Sequence, residues 1–254
     1  MRAGGAELVI DCHVHTEGGG LDPRLIRHAE RLGVDRLVMS SLGSWAYEPM
    51  HEDCRQANRD VRRLTADYPG LVLGLAYVNP CHPDAVGEFE RCVAEWGFVG
   101  LKLWVACRVT DDRVRPLLQK ARELRVPVQH HAWYKITGNL PHESHPHEVA
   151  RAAAEFPDVQ FIMAHIGGDW PRGIGSVRHR PNVSVDSSGS IVEDGMIEAA
   201  VTALGARRVL FGSDAHGGDL AVNLAKIAGA RISVRARRLI LGGNFARLAR
   251  LGKR

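Results

Sequence analysis

The stretch Leu8-Val9-Ile10-Asp11-Cys12-His13-Val14-His15 carries the first apolar run of the chain straight into a pair of histidines. Leu8–Cys12 has the length of a strand buried on both faces, which reads as apolar rather than alternating. The two imidazoles that follow are two residues apart. Side chains alternate along extended chain, so His13 and His15 point to the same face. Two imidazoles on one face can grip one metal ion.

Seven more runs of this kind follow: Arg36–Ser40, Leu71–Val78, Val99–Trp104, Val126–His131, Val159–His165, Asn182–Asp186 and Arg208–Ser213. Segments of helical period lie between them: Asp22–Leu32, Glu52–Asp67, Pro83–Trp96, Asp111–Leu124, Pro146–Phe156 and Glu193–Leu204. The first opens on Asp22-Pro23, a capping side chain followed by a proline in the first turn. Gly33, Gly70 and Gly205 punctuate the approach to later strands. Strand–helix alternation implies a parallel sheet. Eight repeats in 254 residues favour a closed (β/α)8 TIM barrel, which typically takes roughly 250 residues, over an open doubly wound sheet. No Gly-x-Gly-x-x-Gly follows the first strand, which argues against dinucleotide binding. The Gly- and Arg-rich segment Ile166–Pro181 is expected to be partly irregular, and Arg235–Leu251 to form one or two closing helices. No linker or low-complexity segment divides the chain, so residues 1–254 are expected to form one domain.

Hydrophobic residues make up 45% and charged residues 24%, so a large core needs no disulfide support. The net charge is +4, and the densest basic stretch, Arg231 to Arg238, reads as a solvated helix face, since no nucleic-acid motif accompanies it. Cys12, Cys54, Cys81, Cys92 and Cys107 form no Cys-x-x-Cys pair, and a reduced, cytoplasmic location is expected. Met1 to Glu7 lacks the basic and apolar regions of a signal peptide. No run reaches the ~18 apolar residues of a membrane helix. The expected partner is a small-molecule substrate rather than nucleic acid or membrane, and a homo-oligomer is compatible with this composition.

In a barrel the active site forms at the C-terminal strand ends and the loops beyond them. Beyond His13 and His15, the fifth run ends at His130-His131, the sixth at His165, and the eighth leads into Asp214. The fourth carries Lys102 in an apolar context. Each feature alone has a bland reading: a His-x-His accident, a packed strand-end histidine, an aspartate that merely caps a helix. As an ordered set they converge on one barrel mouth, and imidazole with carboxylate is the ligand set of zinc and similar ions. Trp45 and Tyr47 follow the second run, Trp104 ends the fourth, and Trp133 follows the fifth. His216 lies just past Asp214. Trp45, Trp104, Trp133 and His216 are candidate substrate contacts, with simple packing as the alternative for each aromatic. For His142, His145 and His147, near Pro141 and Pro146, capping and a solvated loop suffice.

The chain resembles the metal-dependent amidohydrolase superfamily, and within it the amidohydrolase 2 group of TIM-barrel hydrolases and decarboxylases. The resemblance runs from about Val9 to Leu251. It rests on Ile10-Asp11-Cys12-His13-Val14-His15, Gly97-Phe98-Val99-Gly100-Leu101-Lys102-Leu103, Val126-Pro127-Val128-Gln129-His130-His131, Phe161-Ile162-Met163-Ala164-His165, Val209-Leu210-Phe211-Gly212-Ser213-Asp214 and Leu241-Gly242-Gly243-Asn244-Phe245-Ala246-Arg247-Leu248. The resemblance implies that His13, His15 and Asp214 hold the metal and that Asp214 also shuttles a proton. It implies that His165 is a further ligand or an electrophile beside the substrate. In the fifth run it selects His131 over His130, and strand parity agrees, since His131 shares a face with Pro127 and Gln129. Lys102 is either a carboxylated bridge between two ions or, as preferred here, a charged substrate-binding or structural lysine. The expected cofactor is a divalent metal, zinc first and manganese second, one ion rather than two.

The leading expectation is hydrolysis of a carboxylic ester, lactone or amide by metal-activated water. The alternative from the same fold and ligands is decarboxylation or hydration of a small aromatic or unsaturated acid. A non-catalytic metal-binding barrel is the reading from another class, and the full ligand set argues against it.

Overall fold

Eight parallel strands form one sheet in the order β1 to β8 in a computed structural model that describes residues 8–16, 20 and 22–252. They are β1 (Ile10–Thr16), β2 (Arg36–Ser41), β3 (Val72–Tyr77), β4 (Gly100–Leu103), β5 (Val128–His130), β6 (Phe161–Met163), β7 (Val183–Asp186) and β8 (Val209–Leu210). The sheet closes through Cys12 N, which donates to Phe211 O at 3.0 Å, and through a bridge between Val14 and Ala215. The result is the expected (β/α)8 barrel. Between the strands lie α1 (Pro23–Leu32), α2 (His51–Asp67), α3 (Ala85–Ala94), α4 (Arg115–Leu124), α5 (Pro146–Glu155), α6 (Trp170–Val177) and α7 (Met196–Leu204). After β8 come α8 (Leu220–Gly229), α9 (Val234–Arg238) and α10 (Asn244–Leu248). Among the described residues no helix is long and apolar enough to cross a membrane. Met1–Glu7, read above for a signal sequence, lies outside the described residues.

The two largest apolar clusters among the described residues divide most of the packing. The larger joins the outer faces of the strands to the helices and includes Ala29, Leu37, Met39, Val61, Phe89, Val128 and Phe161. The smaller fills the barrel floor with Ile10, Cys12, Val38, Leu75, Ile162 and Leu210, plugged from below by Phe245 and Leu248 of α10. A register shift between Asp11 and Val14 splits β1 between them. Ile10 and Cys12 belong to the floor, whereas Val14 belongs to the outer cluster. A bulge of this kind re-aims side chains, and here it sends His13 and His15 into the barrel above the floor.

Several element bounds differ from the sequence expectation. β1 continues through the His-x-His pair instead of stopping at Cys12. β6 ends at Met163, and His165 beyond it takes a left-handed backbone, with φ 59°. The segment expected to be partly irregular, Ile166–Pro181, is so at both ends and carries α6 between them, capped by Asp169. Its Gly173 packs so closely that a Cβ there would stand 2.1 Å from Ile166 O, so this glycine marks a backbone contact rather than a loop. No element was read at α8, which Asp219 caps by accepting from Val222 N at 2.8 Å.

Candidate metal centre

His13 Nε2 and His15 Nε2 lie 3.1 Å apart, and Asp214 Oδ1 lies 3.5 and 3.4 Å from them. Both histidines are buried, and the Asp214 side chain is a quarter exposed at the mouth. Asp214 does not cap a helix. Its backbone N–H donates to His13 O at 2.8 Å and its φ is 63°, a left-handed turn that swings the carboxylate over the two imidazoles. Beneath them Asp11 Oδ1 accepts from Ser213 N and His13 N, at 2.9 and 3.2 Å, and so ties β1 to the β8 end. Burial pushes the Asp11 carboxyl up to about 7, against the pull of these donors.

A layer of supporting groups sets which ring nitrogen faces inward. Asp186, at the end of β7, is fully buried and accepts through both oxygens. Oδ1 takes Ser188 Oγ at 2.5 Å and His165 N at 3.1 Å. Oδ2 takes Gln129 Nε2 at 3.2 Å and stands 3.1 Å from His13 Nδ1. Burial would raise this carboxyl, but His13, His165 and Ser188 outweigh it and hold it well below the usual range. An ionised acceptor at Nδ1 puts the proton there and leaves the lone pair of His13 on Nε2. Lys102 Nζ, fully buried, donates to that lone pair at 2.7 Å and reaches Gln129 Oε1 at 3.4 Å. Burial lowers the lysine to about 8, opposed by Asp214 and Asp186. Burial, then Lys102 and His13, push His15 well below its ordinary value, so its imidazole is neutral.

His165 stands on the far side of the same space. Ser188 Oγ gives its proton to Asp186, so His165 Nδ1, 3.0 Å from that oxygen, is the donor. Its Nε2 then turns inward, 3.2 Å from His131 Nδ1. Burial holds His165 well below its ordinary pKa, reinforced by His13 and His131. His131 Nε2 is bonded to Glu143 Oε1 at 2.6 Å. His130 points elsewhere: its Nε2 meets Ser144 Oγ at 2.7 Å, and burial lowers it to about 3. Of the two strand-five candidates, His131 is the one that touches His165.

Aromatic side chains wall this space. Trp45 packs edge-on to His15 at 5.4 Å between ring centroids, and Trp104 packs on Trp45 at 5.6 Å. Trp133 lies 4.7 Å from His165. Beyond it a groove of about 570 Å³ runs past Lys135, Ile136, Trp170 and Ile191. His216 is exposed and lines a separate, smaller depression with Asp22, Arg24 and His28. His147 stacks on His145 and on Tyr134, while His142 faces Glu48.

The donor set fits a divalent ion. Among the described residues, His13, His15 and Asp214 offer ligand atoms that all lie within 4.8 Å of one another. A second grouping, His13 with His165 and Asp186, meets the same distance. There, however, Asp186 already accepts through both oxygens and acts as a support. A metal held at the first grouping would need the His13 Nε2 lone pair that Lys102 now occupies. Asp186, Gln129, Ser188 and Glu143 were not singled out in the sequence. Asp186 carried a signal, since it ends its run as His165 and His131 end theirs. Gln129 shares the inward face of strand five with His131.

A closed parallel barrel with imidazoles and a carboxylate gathered at the C-terminal strand ends is the architecture of a metal-dependent enzyme. The family model described as amidohydrolase matches residues 10–251, and the chain belongs to that family. It is 23% identical over 209 residues to a 2-amino-3-carboxymuconate-6-semialdehyde decarboxylase of Dictyostelium discoideum. That match covers 71% of this chain and 58% of the relative, so the chain spans little more than half of that protein's length. In fold it is similar to a dihydroxybenzoic acid decarboxylase of a Polaromonas species, crystallised with manganese and 2-nitroresorcinol. The TM-score is 0.80 at 18% identity, over 98% of each chain. It is also similar to a 4-oxalomesaconate hydratase of Rhodopseudomonas palustris, with a TM-score of 0.71 at 17% identity, over 96% of each chain.

Proposed function

We propose that the protein is a metal-dependent, non-oxidative decarboxylase of a small aromatic or unsaturated carboxylic acid. Hydrolysis, the leading expectation from the sequence, gives way to the alternative stated beside it. The observation that carries this change is the likeness to the carboxymuconate semialdehyde decarboxylase, which runs along most of this chain. The geometry is compatible with it. Trp45 with Trp104, and Trp133 opposite, form walls suited to a planar unsaturated acid, and the buried Lys102 places positive charge at the centre.

In the reaction the bond to the carboxylate carbon breaks and CO2 leaves. The electron pair stays on the substrate carbon, and a proton takes its place. When bound, a divalent ion, zinc or manganese, would supply positive charge that offsets the negative charge developing on the substrate. His13, His15 and Asp214 would hold it. Asp214, open to the mouth, takes a proton from solvent there and relays it to carbon through its free oxygen. His165, its Nδ1 held by Ser188, presents Nε2 to the substrate or the ion.

The test is CO2 release by protein loaded with zinc or with manganese, on dihydroxybenzoic and carboxymuconate-type acids, beside a panel of esters, lactones and amides. CO2 release is expected, with a fall of about 100-fold or more in turnover for folded, metal-loaded Asp214→Asn, the usual scale of acid–base loss. Turnover of esters or lactones without CO2 release from any acid restores the hydrolase reading.

A further inference from the structure

Glu143 sits on the loop between β5 and α5 with its side chain fully buried. Oε1 lies 2.6 Å from His131 Nε2 and 2.7 Å from Lys135 Nζ. Oε2 accepts from Leu140 N at 3.0 Å. The loop is stitched to the end of β5 on both sides of Glu143. Trp133 N donates to Ser144 O at 3.0 Å, Asn139 Nδ2 donates to Trp133 O at 2.5 Å, and Ser144 Oγ meets His130 Nε2 and accepts from Val109 N. The carboxylate therefore has a fixed place against His131.

We propose that Glu143 is a positioning residue that holds His131 in the Nε2–H tautomer, so that its Nδ1 lone pair is turned into the barrel mouth. The Lys135 ammonium and the Leu140 amide both donate to the Glu143 carboxylate, and a positive charge at 2.7 Å favours its ionised form. An ionised carboxylate has no proton to donate, so the imidazole nitrogen facing it must carry one. The opposite tautomer would set a nitrogen lone pair against a carboxylate oxygen at 2.6 Å. The lone pair left on Nδ1 faces the lone pair of His165 Nε2, 3.2 Å away, a meeting of two acceptors that a cation held between the rings satisfies. Carboxylates that hold the outer nitrogen of a ligating histidine fix its tautomer and strengthen the ligand. The consequence for metal rests on the reading of His131 as a ligand; the tautomer does not.

The experiment records imidazole 15N shifts of metal-free protein labelled at histidine, with His131 assigned from a His131→Asn variant. The expected result is a neutral Nε2–H ring at His131 in the parent, and a mixed tautomer population in Glu143→Gln. An Nδ1–H ring in the parent, or an unchanged ring in Glu143→Gln, overturns the proposal. The parent spectrum needs no variant of Glu143, so the proposal remains testable if Glu143→Gln fails to fold. Zinc affinity, read by chelator competition, is expected to fall about 10–100-fold in Glu143→Gln. Unchanged zinc affinity in His131→Asn overturns the ligand reading of His131, while the tautomer result stands or falls separately.

Discussion

Asp186 Oδ2 lies 3.1 Å from His13 Nδ1 and thereby turns the other nitrogen of that ring toward His15 and Asp214. The same carboxylate holds Ser188, the His165 backbone and Gln129. One buried charge thus orients both ends of the candidate centre.

Asp186→Asn keeps the size of this side chain but removes its charge and lets an amide N–H face His13. Supporting carboxylates of this kind are typically worth about 10–100-fold in metal affinity. The folded variant is expected to bind zinc or manganese weaker by that factor, measured by chelator competition. Parent-like affinity would show that His13 needs no carboxylate to present Nε2.

Gly212 follows β8 at a point where the chain has no room for a side chain. A Cβ there would stand 2.9 Å from His13 Cβ and 3.2 Å from Ser188 Cβ. Neither neighbour is a flexible chain end, so both would have to shift with their backbones. Gly212→Ala is expected to cost about 1–3 kcal/mol of stability, as overpacking does. It should weaken metal binding as well, because His13 is the residue displaced. Denaturant midpoints and metal titration measure the two effects. A stable variant with full affinity would mean that β1 and β8 separate more freely here than their hydrogen bonds imply.

Glu148 anchors the start of α5 by accepting from His145 N and from Arg108 Nη1, each at 2.8 Å. Burial would raise its carboxyl, but these partners outweigh burial and hold it below 4.5. Below its ordinary pKa the unfolded chain takes up a proton that the folded chain resists. The stabilisation is therefore present above pH 4.5 and is lost as pH falls beneath it. Urea unfolding between about pH 6 and about pH 3 is expected to show a shallower acid loss for Glu148→Gln than for the parent. Identical slopes would assign the acid sensitivity to other carboxylates.

Much of this architecture can be read from residue order. Short apolar runs alternate with helical segments because each strand is covered on both faces, and that pattern alone implies a parallel barrel. His13, His15, His165 and Asp214 could be named as candidates because barrel sites form at strand ends, where polar residues interrupt apolar runs, whereas the family resemblance, with strand parity, selected His131 over His130. Helix α6 was obscured because Gly173 serves a backbone contact with Ile166 O, and composition cannot tell a packing glycine from a turn glycine. The supporting layer was less visible still. Glu143, Ser188 and Gln129 lie in loops or on a strand face where an isolated polar residue carries no sign of its partner.

Residue alternation in β1 fixes that His13 and His15 share a face, and this follows from chain geometry without any neighbour. Which face they share is another matter. Regular alternation would put Val14 beside Ile10 and Cys12 in the barrel floor and turn both imidazoles outward. The register shift between Asp11 and Val14 reverses this. It is held by pairing with β2 and by the hydrogen bonds that Cys12 and His15 make to Phe211 and Ala215. Those partners lie some 200 residues along the chain, so the inward turn of the histidines exists only once β8 has closed the barrel against β1. Local sequence sets the period of side chains along a strand. The direction in which they point is set by what the strand is packed between.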